Sequence, residues 1–310
     1  MLSRPFVLTF VLCAAFLSGC AGIQGVSNPR VSALTGESLF IPGSVDSDER
    51  LQNLAAAKAE YERTSGSLDS TIWLGRRLAY LWRYQDAINV FSQGLKRYPA
   101  SPELYRHRGH RYLSIRRFGR AISDFKKAAA LAAGRELTVE PDGIPNRLNQ
   151  PLSNLHFNIY YHWGLAHYFT GEFEKAAKVL ETCLTWSVNP DLKVATIDWL
   201  YMIHRRLGQD DRAESYLQQV SSQWQLVEND GYLSRIRLYK GEIQPGELLD
   251  LDSDQLDDLL VLVTQGYGVA NHHFYNGDKN KALRIMQRIR ATDYWSAFGY
   301  IAAEADLARH

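Results

Sequence analysis

The sequence predicts an all-α protein: an α-solenoid of about five helix pairs, closed at each end by a capping helix. Two observations carry this. Apolar residues recur at helical spacing from Asp48 almost to the end, with no convincing stretch of strand alternation. Anchors also recur at one offset. Gly75, Leu78, Ala87-Ile88 and Phe91 are followed 34 residues on by Gly109, Tyr112, Ala121-Ile122 and Phe125. A fixed period of this size marks a supersecondary unit that buries its apolar face only by stacking on copies of itself.

Further units follow along the chain. Tyr160-x-x-Trp163-Gly164 leads to Gly171 and Ala176-x-x-x-Leu180. Leu207-Gly208 precedes Ala213-x-x-x-Leu217, and Gly277-Asp278 precedes Ala282-x-x-x-Met286. The gap between the last two leaves room for a degenerate unit near 228–250, around Tyr232, Ile236 and Tyr239. Spacing and residue types resemble the tetratricopeptide repeat (TPR) over about 67–292. Two residues depart from that pattern: Arg108 stands before Gly109, and His167 replaces the usual Tyr. The resemblance implies stacked helix pairs whose concave face holds a protein or peptide partner.

The caps are read from amphipathicity. Asp48–Thr64 places Leu51, Leu54, Ala55 and Ala59 on one face, with Lys58 beside it. Residues 294–308 form the last helix, with Trp295, Phe298, Ile301 and Ala302 inward. Between the second and third units, 134–153 carries Pro141, Pro145, Pro151, Gly134 and Gly143 and cannot continue a helix. It is either a decorated turn or a flap beside the groove.

The N-terminus reads as an address. Arg4 precedes an apolar run from Phe6 to Leu17, too short for a hydrocarbon core of ~30 Å. The run ends in Leu17-Ser18-Gly19-Cys20, which resembles the bacterial lipobox. That resemblance implies a signal peptide over 1–19 and a Cys20 carrying a diacylglyceryl thioether and usually an N-acyl (palmitate-type) chain. Ala21, rather than Asp, after Cys20 implies sorting to the outer membrane, facing the periplasm. Residues 20–46, rich in Gly, Ser and Pro, are expected to be a flexible tether, and 47–310 the repeat domain. The layout of a lipobox, TPRs, a degenerate middle unit and a capped last repeat also resembles that of an outer-membrane TPR lipoprotein, which implies an adaptor for cell-envelope proteases and peptidoglycan hydrolases.

Composition limits the function. The 35 Lys+Arg against 34 Asp+Glu lack the basic excess of a nucleic-acid wrapper. Only Cys183 would remain beside an acylated Cys20, so no disulfide is available within a mature chain. No H-E-x-x-H, G-x-S-x-G or phosphate-loop motif occurs, and Ser123-x-x-Lys126 lacks its companion elements. Asp250-x-Asp252-x-Asp254 lacks the Gly and the bidentate Glu of a calcium loop. His107/His110 lie among arginines, which disfavours a metal, so no cofactor is expected. An enzymatic alternative would centre on His156, His162 and His167 with Asp198.

The expectation is a non-enzymatic scaffold, the alternative a structural subunit of an envelope assembly or export complex. Its binding surface is the i, i+4, i+8 stripe of each first helix: Arg76 and Tyr80, then Arg106 and His110, then Tyr161, Leu165 and Phe169, then Arg206. Arg beside aromatic residues suits an interface. Arg106–Arg120 alone holds six Arg and two His. It reads either as a solvated basic face or as a surface for an anionic partner: a protein carboxylate, peptidoglycan or a lipid phosphate.

Overall fold

The computed structural model describes residues 30–249 and 259–310. The signal-like segment, Cys20 and the Asp250–Asp254 run lie outside the described residues.

The first described segment is a small antiparallel pair, β1 (Arg30–Ser32) and β2 (Ser38–Phe40), with Val31 opposite Leu39. Fourteen helices follow among the described residues. They are α1 (Asp48–Arg63), α2 (Leu68–Tyr80), α3 (Tyr84–Arg97), α4 (Pro102–Ser114), α5 (Phe118–Ala132), α6 (Leu155–Phe169), α7 (Phe173–Thr185), α8 (Pro190–Arg206), α9 (Asp210–Leu217), α10 (Asp230–Tyr239), α11 (Pro245–Leu248), α12 (Leu259–Tyr275), α13 (Lys279–Arg290) and α14 (Phe298–Arg309). From α2 to α9 each helix packs on the next, as in a solenoid. Among the described residues there are five full pairs and one short pair, α10/α11, in the stretch where the sequence places a degenerate unit.

Local chemistry sets the helix starts. Ser101 and Asn189 cap α4 and α8 through the N–H groups of Leu104 and Leu192, each followed by a proline at the first helical position. Asn154 caps α6 through the Phe157 N–H at 2.8 Å.

One packing device recurs. In three pairs a glycine of the first helix faces a large side chain 16 residues later: Gly75 against Phe91, Gly109 against Phe125, Gly164 against Leu180. A Cβ at Gly75 would overlap the Phe91 ring. At Gly164 it would stand 2.5 Å from Leu180 Cγ, and at Gly109 it would stand 2.9 Å from Phe125 Cε1. The missing side chain is what lets the paired helices cross closely with Phe91, Phe125 and Leu180 fully buried.

The turns within the pairs share a second device, a left-handed residue. Gly171, Gly208, Gly241 and Gly277 fill it in the later units. In the first two units the equivalent residues are Trp82 (φ 54°) and Arg116 (φ 60°). A side chain in this region costs about 1–2 kcal/mol. Both side chains reach the C-terminal segment. Trp82 meets the Trp295 ring edge-on at 4.9 Å, and Arg116 pairs with Glu304.

Three expectations need correction. Residues 30–46 are not a free tether. Leu34 N–H donates to Glu304 at 2.7 Å, Trp295 Nε1 donates to the Phe40 carbonyl at 2.7 Å, and Glu37 pairs with Arg290. Three-residue strands are too short to show as alternation, so Gly and Ser dominated the reading. On α1 only Leu54 is buried, while Leu51, Ala55 and Ala59 are exposed. The helix packs through the neighbouring face of Asn53, Leu54, Ala57 and Tyr61. Finally, α14 does more than cap the end. Residues 300–306 are buried without a break, so that helix is enclosed on all sides.

Gly75→Leu and Gly109→Leu should each destabilise by about 1–3 kcal/mol, Gly75→Leu more because its Cβ meets Phe91 sooner. Urea unfolding of both variants checks the order.

Candidate functional site

The first helices α2, α4, α6 and α8 stand side by side and form the inner face of the array. Two segments of the same chain lie on it.

The first is α14. The Phe298 ring lies 5.5 Å from both His110, at a tilt, and His162, edge-on, and 6.3 Å from Phe169. Glu304 takes two hydrogen bonds from Arg116, at 2.9 and 2.7 Å. Asp306 pairs with Arg206 at 2.7 Å and accepts from Tyr267 at 2.8 Å. Both carboxylates are fully buried.

The second is the proline-rich insertion 134–153. It leaves α5, bridges Val139 to Asn154, and runs extended across α2 and α4. Arg76 donates to the Pro141 carbonyl at 2.8 Å, and Arg77 donates to the Gly143 carbonyl at 3.1 Å. Glu140 pairs with Arg106 at 2.6 Å and accepts from Asn158. Gly143 passes so close to the Tyr80 hydroxyl that a Cβ there would collide with it. Of the two readings of this segment, the flap beside the groove matches its position.

The expected binding residues therefore divide. Arg76, Tyr80, Arg106 and His110 line one cavity of about 230 Å³, with Ala79, Phe91, His107, Arg111, Asn158 and His162 completing its wall. Tyr161, Leu165 and Phe169 do not line an open groove. They are buried, with Tyr161 accepting from Trp199 Nε1 at 2.9 Å and Phe169 under α14. Arg206 is committed to Asp306 and, at 2.8 Å, to Asn271. Of the eight stripe residues, four line the cavity, Phe169 and Arg206 are covered by α14, and Tyr161 and Leu165 are buried in the core.

The basic run is sorted by the same geometry. Arg108 binds Asp124 through two bonds of 2.7 and 2.8 Å, and Arg116 binds Glu304. Arg120 lies over the Tyr112 ring, and Arg117 is exposed. Arg106 holds Glu140. Arg111 lies 5.3 Å over the Tyr84 ring and pairs with no carboxylate among the described residues. Burial pushes the Arg111 guanidinium down to about 10, with Arg106 and Arg76 pushing the same way. Arg111 is the residue that the stripe argument missed; the basic run containing it was the available signal.

The cavity histidines are neutral. Burial lowers His107 and His110 well below their usual value, and the arginines around them add to the effect. His162 Nδ1–H donates to the Asn158 carbonyl at 2.6 Å, and burial takes the imidazole down to about 3. The other histidines serve elsewhere. His156 stacks on Trp186 at 4.0 Å, and His167 bonds Glu172 at 2.7 Å. Asp198, buried against Arg235 at 2.7 Å, faces neither of them in a bond. The buried Cys183 thiol, pushed up to about 12 by desolvation, is a core atom. Among the described residues no cluster of His, Cys, Asp or Glu is placed to hold a metal, and no helix is long and apolar enough to cross a membrane.

Comparison with known proteins agrees on the repeat. Residues 157–188, which span α6, α7 and the turn between them, match the family model for the tetratricopeptide repeat. No curated protein sequence matches the chain. Among solved structures the chain is similar to MamA at 17% identity, covering 61% of this chain and 90% of that one, with a TM-score of 0.42. It is also similar to YrrB, described as a TPR protein with an unusual peptide-binding site, at 14% identity, 81% and 98% coverage and a TM-score of 0.42. A third is TTC0263, a thermophilic TPR protein of Thermus thermophilus, at 18% identity, 78% and 100% coverage and a TM-score of 0.40.

A buried neutral imidazole makes stability fall with acidity. The unfolded state takes up a proton below about 6.5, while His162 in the folded state does so only near 3. Between pH 7 and pH 5 this one group should remove about 2 kcal/mol. His162→Phe should flatten the fall in urea-unfolding free energy over that window by a similar amount.

Proposed function

Starting from a chain that carries a tetratricopeptide repeat within an all-helical array, we propose a non-catalytic scaffold that binds a protein or peptide partner at the cavity of Arg76, Tyr80, Arg106 and His110. The observation that carries this is the cavity itself. Most of the inner face is filled by α14, yet this stretch between α2 and α4 keeps guanidinium and aromatic groups accessible, the residue types enriched among interface hot spots. Two arginines offer bidentate geometry to a carboxylate, and Tyr80 offers an apolar ring beside them.

The envelope part of the proposal rests on the lipobox-like Leu17–Cys20 after a short apolar run. In this reading Cys20 carries the lipid that anchors the scaffold to the outer membrane.

Crosslinked pull-down from membranes tests the surface. Arg76→Ala/Arg106→Ala should reduce partner capture by at least tenfold, since losing charge at a desolvated contact costs ~2–5 kcal/mol. The exposed Lys127→Ala on α5 should leave capture unchanged. Capture that survives the double substitution but is lost in the control places the partner on another face. For the anchor, Cys20→Ser should release the chain from membranes. A variant that is fully processed and still sediments with membranes in high salt contradicts the lipoprotein reading.

A further inference from the structure

The cavity between α2, α4 and α6 has an unbalanced charge. Three guanidinium groups, Arg76, Arg106 and Arg111, line it, and one carboxylate, Glu140, pairs with Arg106 from outside the cavity wall. Asp142 on the same strap also feels Arg76, but its position is outside the cavity wall. His107, His110 and His162 are neutral there, so they add no charge. Elsewhere among the described residues, deeply buried arginines are matched. Arg116, Arg206 and Arg235 each meet a fully buried carboxylate. Arg111 is half-buried over the Tyr84 ring and meets none, which is unfavourable for a guanidinium partly withdrawn from water.

The hydrogen-bond inventory has the same gap. Arg106 spends one nitrogen on Glu140 and one on His107, while its Nε is buried with no acceptor. Arg76 spends Nε on the Tyr80 hydroxyl at 3.2 Å and Nη2 on the Pro141 carbonyl, leaving Nη1. Arg111 has only the Tyr84 ring. Each guanidinium has five N–H donors, so several are left for a ligand.

We propose that this cavity is a binding site for a small phosphomonoester, its phosphoryl oxygens held by Arg111 and Arg76 with Arg106 beside them and Glu140 forming the acidic rim. A phosphomonoester brings a charge near −2 and three strongly accepting oxygens, which suits two guanidiniums without a carboxylate partner better than the single charge and two oxygens of a carboxylate. The volume of about 230 Å³ exceeds what one phosphoryl group needs. The Tyr80 and Phe91 rings offer an apolar wall to the ester substituent. The assignment goes beyond the scaffold reading and does not depend on it.

Calorimetric titration and thermal melting of the purified full chain test it, with inorganic phosphate, glycerol phosphate and succinate at constant ionic strength against sodium chloride. Both phosphates should bind saturably and raise the melting temperature as a ligand of the native state does. Arg111→Gln should weaken them at least tenfold while leaving the ligand-free melting temperature equal or higher, because it removes a half-buried charge that no carboxylate pairs among the described residues. Glu140→Gln, at the rim, should tighten both phosphates, and it keeps the test decisive if Arg111→Gln fails to fold. The proposal is overturned if phosphate stabilises no more than chloride in both the native chain and Glu140→Gln. It is equally overturned if affinity is unchanged in Arg111→Gln, or if succinate binds where neither phosphate does. Loss of phosphate binding with partner capture intact would separate this site from the scaffold surface.

Discussion

Two buried ion pairs, Arg116–Glu304 and Arg206–Asp306, govern the rest of the architecture. Each carboxylate is wholly out of water, which costs several kcal/mol unless its oxygens are satisfied. They are. Glu304 receives Arg116 twice and the Leu34 N–H, and Asp306 receives Arg206, Tyr267 and Arg309. Residues two apart on a helix point about 200° apart around its axis. Glu304 and Asp306 therefore clamp α14 from nearly opposite sides, one against the α4–α5 turn and one against the end of α8. A helix held in that way lies inside the array.

Several other features follow from this placement. The turn before α5 accepts the strain of a left-handed Arg116 because that conformation sends the guanidinium to Glu304. The hairpin β1–β2 is held down by the same carboxylate and by Trp295. The aromatic stripe of α6, which in an open repeat array would face a ligand, packs instead on Phe298 and Trp199. What stays accessible is the cavity between α2 and α4, narrowed on one side by Phe298 and on the other by the strap that carries Glu140. The contacts of the strap are almost all polar, and Leu137, Val139, Ile144 and Leu148 stay exposed on it. It covers the groove without adding much to the core.

The repeat was legible because it is periodic. The spacing of Gly75, Ala87 and Phe91 reappears at Gly109, Ala121 and Phe125, and the structure makes each glycine a helix crossing. The truncated unit near Tyr232–Tyr239 was found from a missing period. Long-range pairings were not legible, because nothing local announces them. Glu304 and Asp306 look like ordinary helix-surface acids, and only the small residues Ala302, Ala303 and Ala305 around them hint at close enclosure. Arg116 was one of six arginines in a basic run, and its partner stands 188 residues away. The prolines and glycines of 134–153 excluded a helix, but the docking of Glu140 on Arg106 has no sequence signature. Arg76, Tyr80, Arg106 and His110 were placed together on the inner face; Arg111 was not, since it lies one residue off the chosen stripe.

The central claim is that α14 is an interior element held by buried charge, and amide hydrogen exchange along residues 300–306 tests it most directly. An enclosed helix exchanges only through large-scale opening, so these amides should be protected to nearly the free energy of global unfolding, like those of α6. Exchange at the rate of a fraying terminus, with opening free energies near zero while α6 stays protected, would contradict the account.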